Sequence, residues 1–154
     1  LIFRLGWLYG IKGQHFVSRI AALAQQQKQL AVVTDQTGTP TPVEWVAHVV
    51  LQALQAYQQQ RLPKGVYHLS PNGSCTWFDL AHAILTQLRQ TAHLKGQPIA
   101  TLHGTTQLLS PRAAQRPTYS VLSNQRLFQA LHDEAPDWYT LFMPTLRTLL
   151  KTTP

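Results

Sequence analysis

The chain is poor in cysteine, in acidic residues and in long apolar runs. One cysteine, Cys75, among 154 residues excludes an internal disulfide framework and a cluster of cysteine metal ligands. A reducing, cytoplasmic setting is therefore expected. No apolar run approaches the roughly 18 residues of a membrane-spanning helix, so we expect no membrane partner. The only methionine is Met143 and the first residue is Leu1, which predicts the C-terminal piece of a longer protein.

Acidic residues are scarce, and this restricts the possible chemistry. Six acids stand against 13 Lys and Arg, a net charge of +7, and such an excess suggests an anionic partner: nucleic acid, a nucleotide or a phosphorylated sugar. The cations are scattered singly, which disfavours a nucleic-acid surface but leaves a basic nucleic-acid module as a remote alternative. The seven histidines lack metal-ligand spacing, so no metal is expected.

What the sequence does contain is an alternation of strand-like and helix-like segments, with 44% apolar residues to form a core. The predicted strands are 1–5, 30–34, 65–70 and 98–102, and the predicted helices are 15–28, 41–60, 76–90, 123–131 and one from about 137. Such alternation predicts an α/β fold. The irregular stretch 105–118 is predicted to be a loop.

Several boundaries have a local signal. Thr41, Pro42 and Glu44 form an N-cap, a first-turn proline and a capping-box acid, which together predict a helix start. Thr76 is predicted to cap the next helix. Pro144 is predicted to kink or restart the last helix, because it cannot donate a backbone hydrogen bond. The helix from Thr41 is expected to bury one face: Val46, Val49, Val50, Ala53, Leu54 and Tyr57.

Two features resemble reactive or cofactor sites without matching them. Gly6, Gly10 and Gly13 lie between a strand and a helix, but their spacing differs from the dinucleotide-binding fingerprint, so we interpret them as a loop. Cys75 precedes a helix N-terminus, where a thiolate is favoured. Since no base accompanies it, a small buried residue is the favoured interpretation.

Seven short motifs follow one another along nearly the whole chain: RLGWLYG at 4–10, HFV at 15–17, VTDQTGTPT at 33–41, GVYHL at 65–69, CTWFDLA at 75–81, RPTYSVL at 116–122 and PDW at 136–138. In this order they resemble the motifs R-x-S-W-V-Y-G, N-F-V, D-Q-x-G-x-P-T, G-x-Y-H-x, T-S-W-x-E-F-A, R-P-x-N-S-x-L and P-x-W of the dTDP-4-dehydrorhamnose reductases. These enzymes are extended short-chain dehydrogenases. Each motif alone is weak, but the ordered set is specific.

The resemblance implies the C-terminal part of a Rossmann-like NAD(P)-binding fold together with the small substrate-binding domain. Residues 1–154 would be the C-terminal half. The N-terminal half, with the G-x-x-G-x-x-G turn and the catalytic Tyr-x-x-x-Lys, would be absent. The intact enzyme would reduce the 4-keto group of dTDP-4-dehydrorhamnose to dTDP-rhamnose with NADPH or NADH. This piece would bind the dTDP-sugar, carry no catalytic residue and be inactive alone. Its protein partners would be its own N-terminal half and, in a homodimer, a second copy.

The same resemblance implies the site residues. Trp7, Arg116, Gln36 and Phe16 would contact the substrate, and Gly6 and Tyr9 the cofactor. An indole just past a strand end, such as Trp7, can stack on a sugar ring, although it can also be a core aromatic. Arg116 offers a fork suited to a diphosphate, although it can also be a solvated loop arginine.

The chain departs from the family pattern at Gly6, His15 and Tyr119, where the family has Ser, Asn and Asn. An alternative within the same fold is a non-catalytic nucleotide-binding protein, of the type of the regulatory subunit of methionine adenosyltransferase. The upstream sequence discriminates between the two, because an intact Tyr-x-x-x-Lys favours the enzyme.

Overall fold

Short strands and amphipathic helices alternate in the computed structural model, which describes residues 1–92, 98–106 and 116–152. The elements are β1 Ile2–Arg4, β2 Leu8–Tyr9, α1 Phe16–Gln26, β3 Gln29–Val33, β4 Thr37–Gly38, β5 Thr41–Pro42, α2 Val43–Gln58, β6 Val66–His68, β7 Cys75–Thr76, α3 Trp77–Ala92, β8 Thr101–Thr105, α4 Gln125–Leu131 and α5 Trp138–Thr152. The α/β class predicted from the alternation is confirmed.

The strands join in pairs that are mostly parallel. β1 pairs with β6 in the register Phe3↔Tyr67, and β3 pairs with β8 in the register Ala31↔His103. A parallel pair needs a crossover connection, and α2 and α3 lie within the two connections here. Short pairs complete the set: β2 with β5 in parallel, and β4 with β7 in antiparallel.

Two apolar cores hold these pairs. The first core packs α1, α3 and α5 around β3, and Leu30, Ile84 and Phe142 are among its buried members. The second core lies where α2 and α4 cover one face of β1 and β6, with Tyr67 and Leu127 at its centre. The cores therefore divide the chain into a region around β3–β8 and a region around β1–β6.

The capping box predicted at Thr41 is wrong. Helix α2 begins at Val43, with Pro42 in the N-cap position and no side-chain cap. The Thr41 hydroxyl donates instead to the Thr39 carbonyl at 3.1 Å, and the Glu44 carboxylate accepts from the Ile11 N–H at 3.3 Å. The reason is tertiary: Thr41 and Pro42 are extended because they form β5 beside β2.

Other helix starts follow side-chain caps. The cap predicted at Thr76 is confirmed, since the Asp79 N–H donates to Thr76 Oγ1 at 3.1 Å and the Thr76 N–H donates to Asp79 Oδ2 at 2.9 Å. Helix α1 has a cap that the sequence did not suggest. The Ser18 N–H donates to His15 Nδ1 at 3.3 Å, and the His15 N–H donates to Ser18 Oγ at 3.1 Å.

Helix α2 buries a narrower face than its sequence predicts. Val49, Ala53 and Ala56 are buried, whereas Leu54 is 45% exposed and Tyr57 is 37% exposed. The prediction was therefore wrong for Leu54 and Tyr57. The side of α2 that carries Leu54 and Tyr57, which we call the α2 arc, has no covering element among the described residues.

The remaining boundaries shift modestly. The fourth predicted strand begins later, at Thr101, and α4 starts at Gln125 rather than at Ser123. Helix α5 continues through Pro144 as one element instead of restarting there. Most of the predicted loop 105–118 lies outside the described residues. Within them, no helix has the length and apolar content to cross a membrane.

Candidate ligand-binding cleft

Three aromatic side chains form a column at the ends of β1 and β4. The Trp7 and Trp77 rings stack with centroids 3.5 Å apart and planes 9° apart, and Phe16 packs on Trp77 at 4.3 Å. Gly38 lies against Trp7, so close that a Cβ there would overlap the indole. Both faces of Trp7 are therefore covered, and only its edge is available to a ligand.

The Trp7 backbone is held in an unusual conformation. Its φ of +44° lies in the left-handed region, which costs a bulky residue of order 1–3 kcal/mol and persists only where the surroundings enforce it. Here the Trp7 carbonyl accepts a hydrogen bond from the Thr41 N–H at 3.1 Å, and the indole ring packs against Trp77 and Gly38. The loop between β1 and β2 is thereby turned toward the cleft.

Two cavities meet at this column, and we call them together the cleft. The larger cavity, about 1040 Å³, lies along α1 and β3. The smaller, about 520 Å³, lies between the β1–β2 loop and the segment 116–122. Gln36, Trp77 and Arg116 line both cavities. The cleft thus has two compartments with a shared wall.

Backbone hydrogen bonds bring the shared wall together from three distant parts of the chain. The Thr37 N–H donates to the Thr118 carbonyl at 2.7 Å, and the Ser120 N–H donates to the Thr37 carbonyl at 2.9 Å. The Trp77 N–H donates to the Gln36 carbonyl at 3.3 Å. Residues 116–120 therefore run beside residues 36–38, and the first turn of α3 closes the arrangement.

Gln36 is the most informative side chain of the cleft. It is 8% exposed, and its amide makes no hydrogen bond to any side chain or backbone group that the structure describes. Among the described residues only the Tyr9 hydroxyl is a fully buried side-chain polar atom without a partner, so the Gln36 amide is open to the cleft that it lines. An unpaired amide in contact with both cavities is available to a polar ligand.

The predicted site residues divide into two groups. Trp7, Gln36, Phe16, Arg116 and Gly6 all line the cleft. A Cβ at Gly6 would meet nothing within 4 Å, so there is open space beside it.

Tyr9 belongs to the other group, because it lines neither cavity. It is 3% exposed, and its ring packs against Phe142 with centroids 5.5 Å apart. Its hydroxyl has no hydrogen-bond partner among the described residues. Burial, together with the nearby Glu44 and Cys75, raises the pKa of Tyr9 above its usual value. Its predicted contact with the cofactor stays untested, and the buried ring offers no surface for it.

The Cys75 thiol is also buried, at 6% exposure. Burial, and then the charges of Asp79 and Asp137, raise the pKa of Cys75 to about 12. The thiol is therefore protonated at neutral pH, which suits a packing residue better than a nucleophile. No three His, Cys, Asp or Glu side chains within 1–92, 98–106 and 116–152 are grouped to hold a metal ion.

Trp77 is a cleft residue that sequence reasoning did not single out. It lies in the quoted CTWFDLA motif, one residue after the Thr76 cap. That position, at the start of a helix and next to a loop, was the available signal. Tyr119, one of the positions at which the sequence departs from the family pattern, lies beside the smaller cavity at 68% exposure.

The fold and the cleft define a class: an α/β unit of the Rossmann-like type, with a cleft at its strand ends. Comparison with known proteins gives the family. A family model described as "RmlD substrate binding domain" matches residues 1–150, and the chain belongs to this family. The resemblance predicted from the motifs, to the C-terminal portion of the dTDP-4-dehydrorhamnose reductases, is confirmed.

Curated proteins similar to this chain are named dTDP-4-dehydrorhamnose reductase. The dTDP-4-dehydrorhamnose reductase of Escherichia coli K12 is 32% identical over 155 residues, covering 99% of this chain and 50% of that protein. The Streptomyces griseus protein of the same name is 38% identical and covers 81% of this chain and 39% of its own length. The chain thus spans about half the length of the curated relatives that it matches.

Solved structures agree. The dTDP-4-dehydrorhamnose reductase of Clostridium acetobutylicum superposes with a TM-score of 0.75 at 32% identity, over 97% of this chain and 48% of that one. The Bacillus anthracis enzyme in complex with NADP gives 0.72 at 25% identity, over 99% and 48%. A Bacillus cereus UDP-N-acetylglucosamine 4-epimerase, at 14% identity and 0.63 over 99% and 46%, shares the fold alone. The predicted Rossmann-like fold is confirmed.

Proposed function

We propose that this chain is the substrate-binding portion of a cytoplasmic NADPH-dependent reductase that converts dTDP-4-dehydrorhamnose to dTDP-rhamnose. The observation that carries the proposal is the unpaired Gln36 amide, open to the cleft where the two cavities share a wall with Trp77 and Arg116. A nucleotide sugar is long, has two bulky ends and carries its charge in the middle. The cleft has two compartments, and Arg116 lies on the wall that they share.

The substrate is proposed to lie across the shared wall. The diphosphate meets Arg116 and the Gln36 amide, because a guanidinium and an amide N–H both donate to phosphate oxygens. The sugar enters the smaller cavity beside Trp7. Since both faces of that indole are covered, the sugar touches its edge rather than stacking on it. The nucleoside lies in the larger cavity, between Phe16 and the apolar side of β3.

The reduction itself needs groups that this chain does not carry. A hydride must reach C4 of the sugar and a proton must reach its oxygen, and the chain contains no Tyr-x-x-x-Lys. NADPH, when bound, supplies the hydride. The open space at Gly6 fits an edge of that cofactor, whereas the buried Tyr9 ring does not. Most of the cofactor site is therefore proposed to belong to the N-terminal half.

The uncovered apolar surface supports such a partner. On α2, Val43, Leu51 and Leu54 are 44%, 61% and 45% exposed, and on the open face of the β1–β6 pair Ile2 is 62% exposed. Within the described part of the chain β1 pairs with β6 alone, so its outer edge is available. We propose that the N-terminal half adds a parallel strand there and covers the α2 arc.

One experiment tests the substrate assignment. Calorimetry with dTDP is expected to give binding to the chain, and Gln36→Ala is expected to weaken it about tenfold through the loss of a hydrogen bond to a charged ligand. His48→Ala, an exposed residue on α2 outside the cleft, is the control. Binding of dTDP that is identical in wild type and Gln36→Ala contradicts the assignment.

A second experiment tests the division of labour. The chain alone is expected to show no NADPH-dependent reduction, and activity is expected when the polypeptide encoded upstream of Leu1 is added. Binding of dTDP without reduction in that mixture favours the non-catalytic regulatory alternative. By itself the chain is expected to self-associate, as a homodimer or larger species, through the exposed surface. A stable 17 kDa monomer in sedimentation contradicts the proposed interface.

A further inference from the structure

Arg19 lies at the centre of the α1 face that lines the larger cavity. Residues spaced three or four apart share one face of a helix, and His15, Arg19 and Leu23 line the cavity one turn after another. A helical side chain is inclined toward the N-terminus of its helix. The Arg19 side chain is thereby directed toward the first turn of α1, where the cavity is polar.

The charges of the larger cavity are of one sign. Arg19 and Arg116 both line it, one from α1 and one from the segment beside β4, and its described lining contains no Asp or Glu. Neither guanidinium makes a hydrogen bond or an ion pair to a residue that the structure describes. Two unpaired guanidinium groups on one cavity attract an anion, which relieves their mutual repulsion when it lies between them.

We propose that Arg19 is a second anion-binding residue, which holds a diphosphate together with Arg116 from the opposite element. The proposal rests on the proposed function, because the diphosphate is that of the nucleotide sugar. The Gln36 amide, also on this cavity, supplies a neutral donor in addition to the two cations. Arginine is suited to the role because its planar fork donates two hydrogen bonds to one phosphate.

Inorganic pyrophosphate is the probe that isolates the two cations from the rest of the ligand. Calorimetry at low ionic strength is expected to show that Arg19→Gln and Arg116→Gln each weaken pyrophosphate binding about tenfold to a hundredfold. The double variant is expected to lose less than the product of the two factors, because both residues contact the same anion. Arg147→Gln on α5, which removes the same charge from an exposed helix position outside the cavity, is expected to bind like wild type.

The possible results separate the two proposals. Pyrophosphate binding that is absent in wild type, or unchanged in Arg19→Gln, overturns the role of Arg19. Binding that falls equally in Arg19→Gln and Arg147→Gln reflects net charge alone and also overturns it. If Arg19→Gln weakens pyrophosphate binding but wild type binds dTDP no more tightly than pyrophosphate, Arg19 stands and the nucleotide-sugar function fails. All variants are compared by thermal unfolding, which this exposed substitution should not change.

Discussion

The regions around β3–β8 and β1–β6 are both built on a parallel strand pair with a crossover helix. They differ in the number of paired residues and in how much of their apolar surface is covered. β3 and β8 share five residue pairs, and α1, α3 and α5 pack into one core with Leu30 and Phe142 inside. β1 and β6 share three pairs. One face of that pair is covered by α2 and α4, while Ile2 on the other face and Leu51 on the outside of α2 remain exposed. The first region is covered by its own helices, whereas the second leaves apolar side chains exposed on the open face of its strand pair and on α2.

The largest expected effect is the contrast between a core side chain in the first region and an exposed one in the second. Phe142→Ala, at 0% exposure, is expected to lower the free energy of unfolding by about 3–5 kcal/mol, because it leaves a cavity in a packed core. Leu51→Ala, at 61% exposure, is expected to change it by about 0.5 kcal/mol or less. Urea unfolding of both variants measures this contrast. A similar loss from both would show that the α2 arc is already covered in the isolated chain.

The aromatic column packs against the first core, and Trp7 tests whether it serves folding, binding or both. Trp7→Ala is expected to lower stability by about 2–3 kcal/mol, less than for a fully buried aromatic because the ring is only half-buried. In the reconstituted enzyme it is expected to lower kcat/KM about tenfold to a thousandfold per folded molecule, through lost positioning.

Trp45→Ala is the matched control for Trp7. Trp45 is also half-buried and stacks on Phe128 with centroids 6.0 Å apart, but it lies outside the cleft. Its substitution is expected to reduce stability by a comparable amount without changing kcat/KM. If both variants keep near-normal kcat/KM in the folded fraction, Trp7 is a packing residue and its assignment to the site is wrong.

A smaller effect is expected from two glycines that border the same column. Gly38→Ala is expected to lower stability by about 1–3 kcal/mol, since its Cβ would overlap the Trp7 indole and must displace it. Gly6→Ala has open space and is expected to be nearly neutral. Near-ultraviolet circular dichroism reports the Trp7–Trp77 stack directly. An unchanged stack signal in Gly38→Ala would mean that Trp7 is not held as described.

The smallest expected effect is a dependence of stability on pH, which comes from two buried groups of the region around β3–β8. Folding raises the pKa of Cys75 from 9.0 to about 12, so the unfolded chain releases its proton first as the pH rises. The corresponding stability is fully present below about pH 9 and is lost progressively between 9 and 12. Tyr9, whose pKa is also raised, adds to the same alkaline loss.

Substitutions at the two groups test this pH dependence. Urea unfolding from pH 7 to 10.5 is expected to show a shallower decline for Cys75→Ala and for Tyr9→Phe than for wild type. At pH 7 Tyr9→Phe is expected to be neutral or slightly stabilising, because it removes a hydroxyl that has no partner among the described residues. An equally steep alkaline decline in all three proteins would show that other groups cause it.

The sequence by itself determined the features that depend on local chemistry. Alternating periodicity predicted the α/β class, and the Thr76–Asp79 pair predicted the start of α3, because a cap is made by residues three apart. The ordered motifs predicted the family. They also indicated Trp7, Gln36 and Arg116, which the folded chain brings to one cleft although they lie far apart in sequence.

Tertiary structure alone decided the features that depend on distant partners. Thr41 stands in a sequence pattern that is typical of a helix cap, yet the pairing of β5 with β2 keeps its backbone extended. The periodicity of α2 cannot show that Leu54 stays exposed, because burial depends on which elements pack beside the helix. The covered faces of Trp7 and the unpaired Gln36 amide likewise arise where loops from three parts of the chain meet, and no local pattern encodes such a meeting.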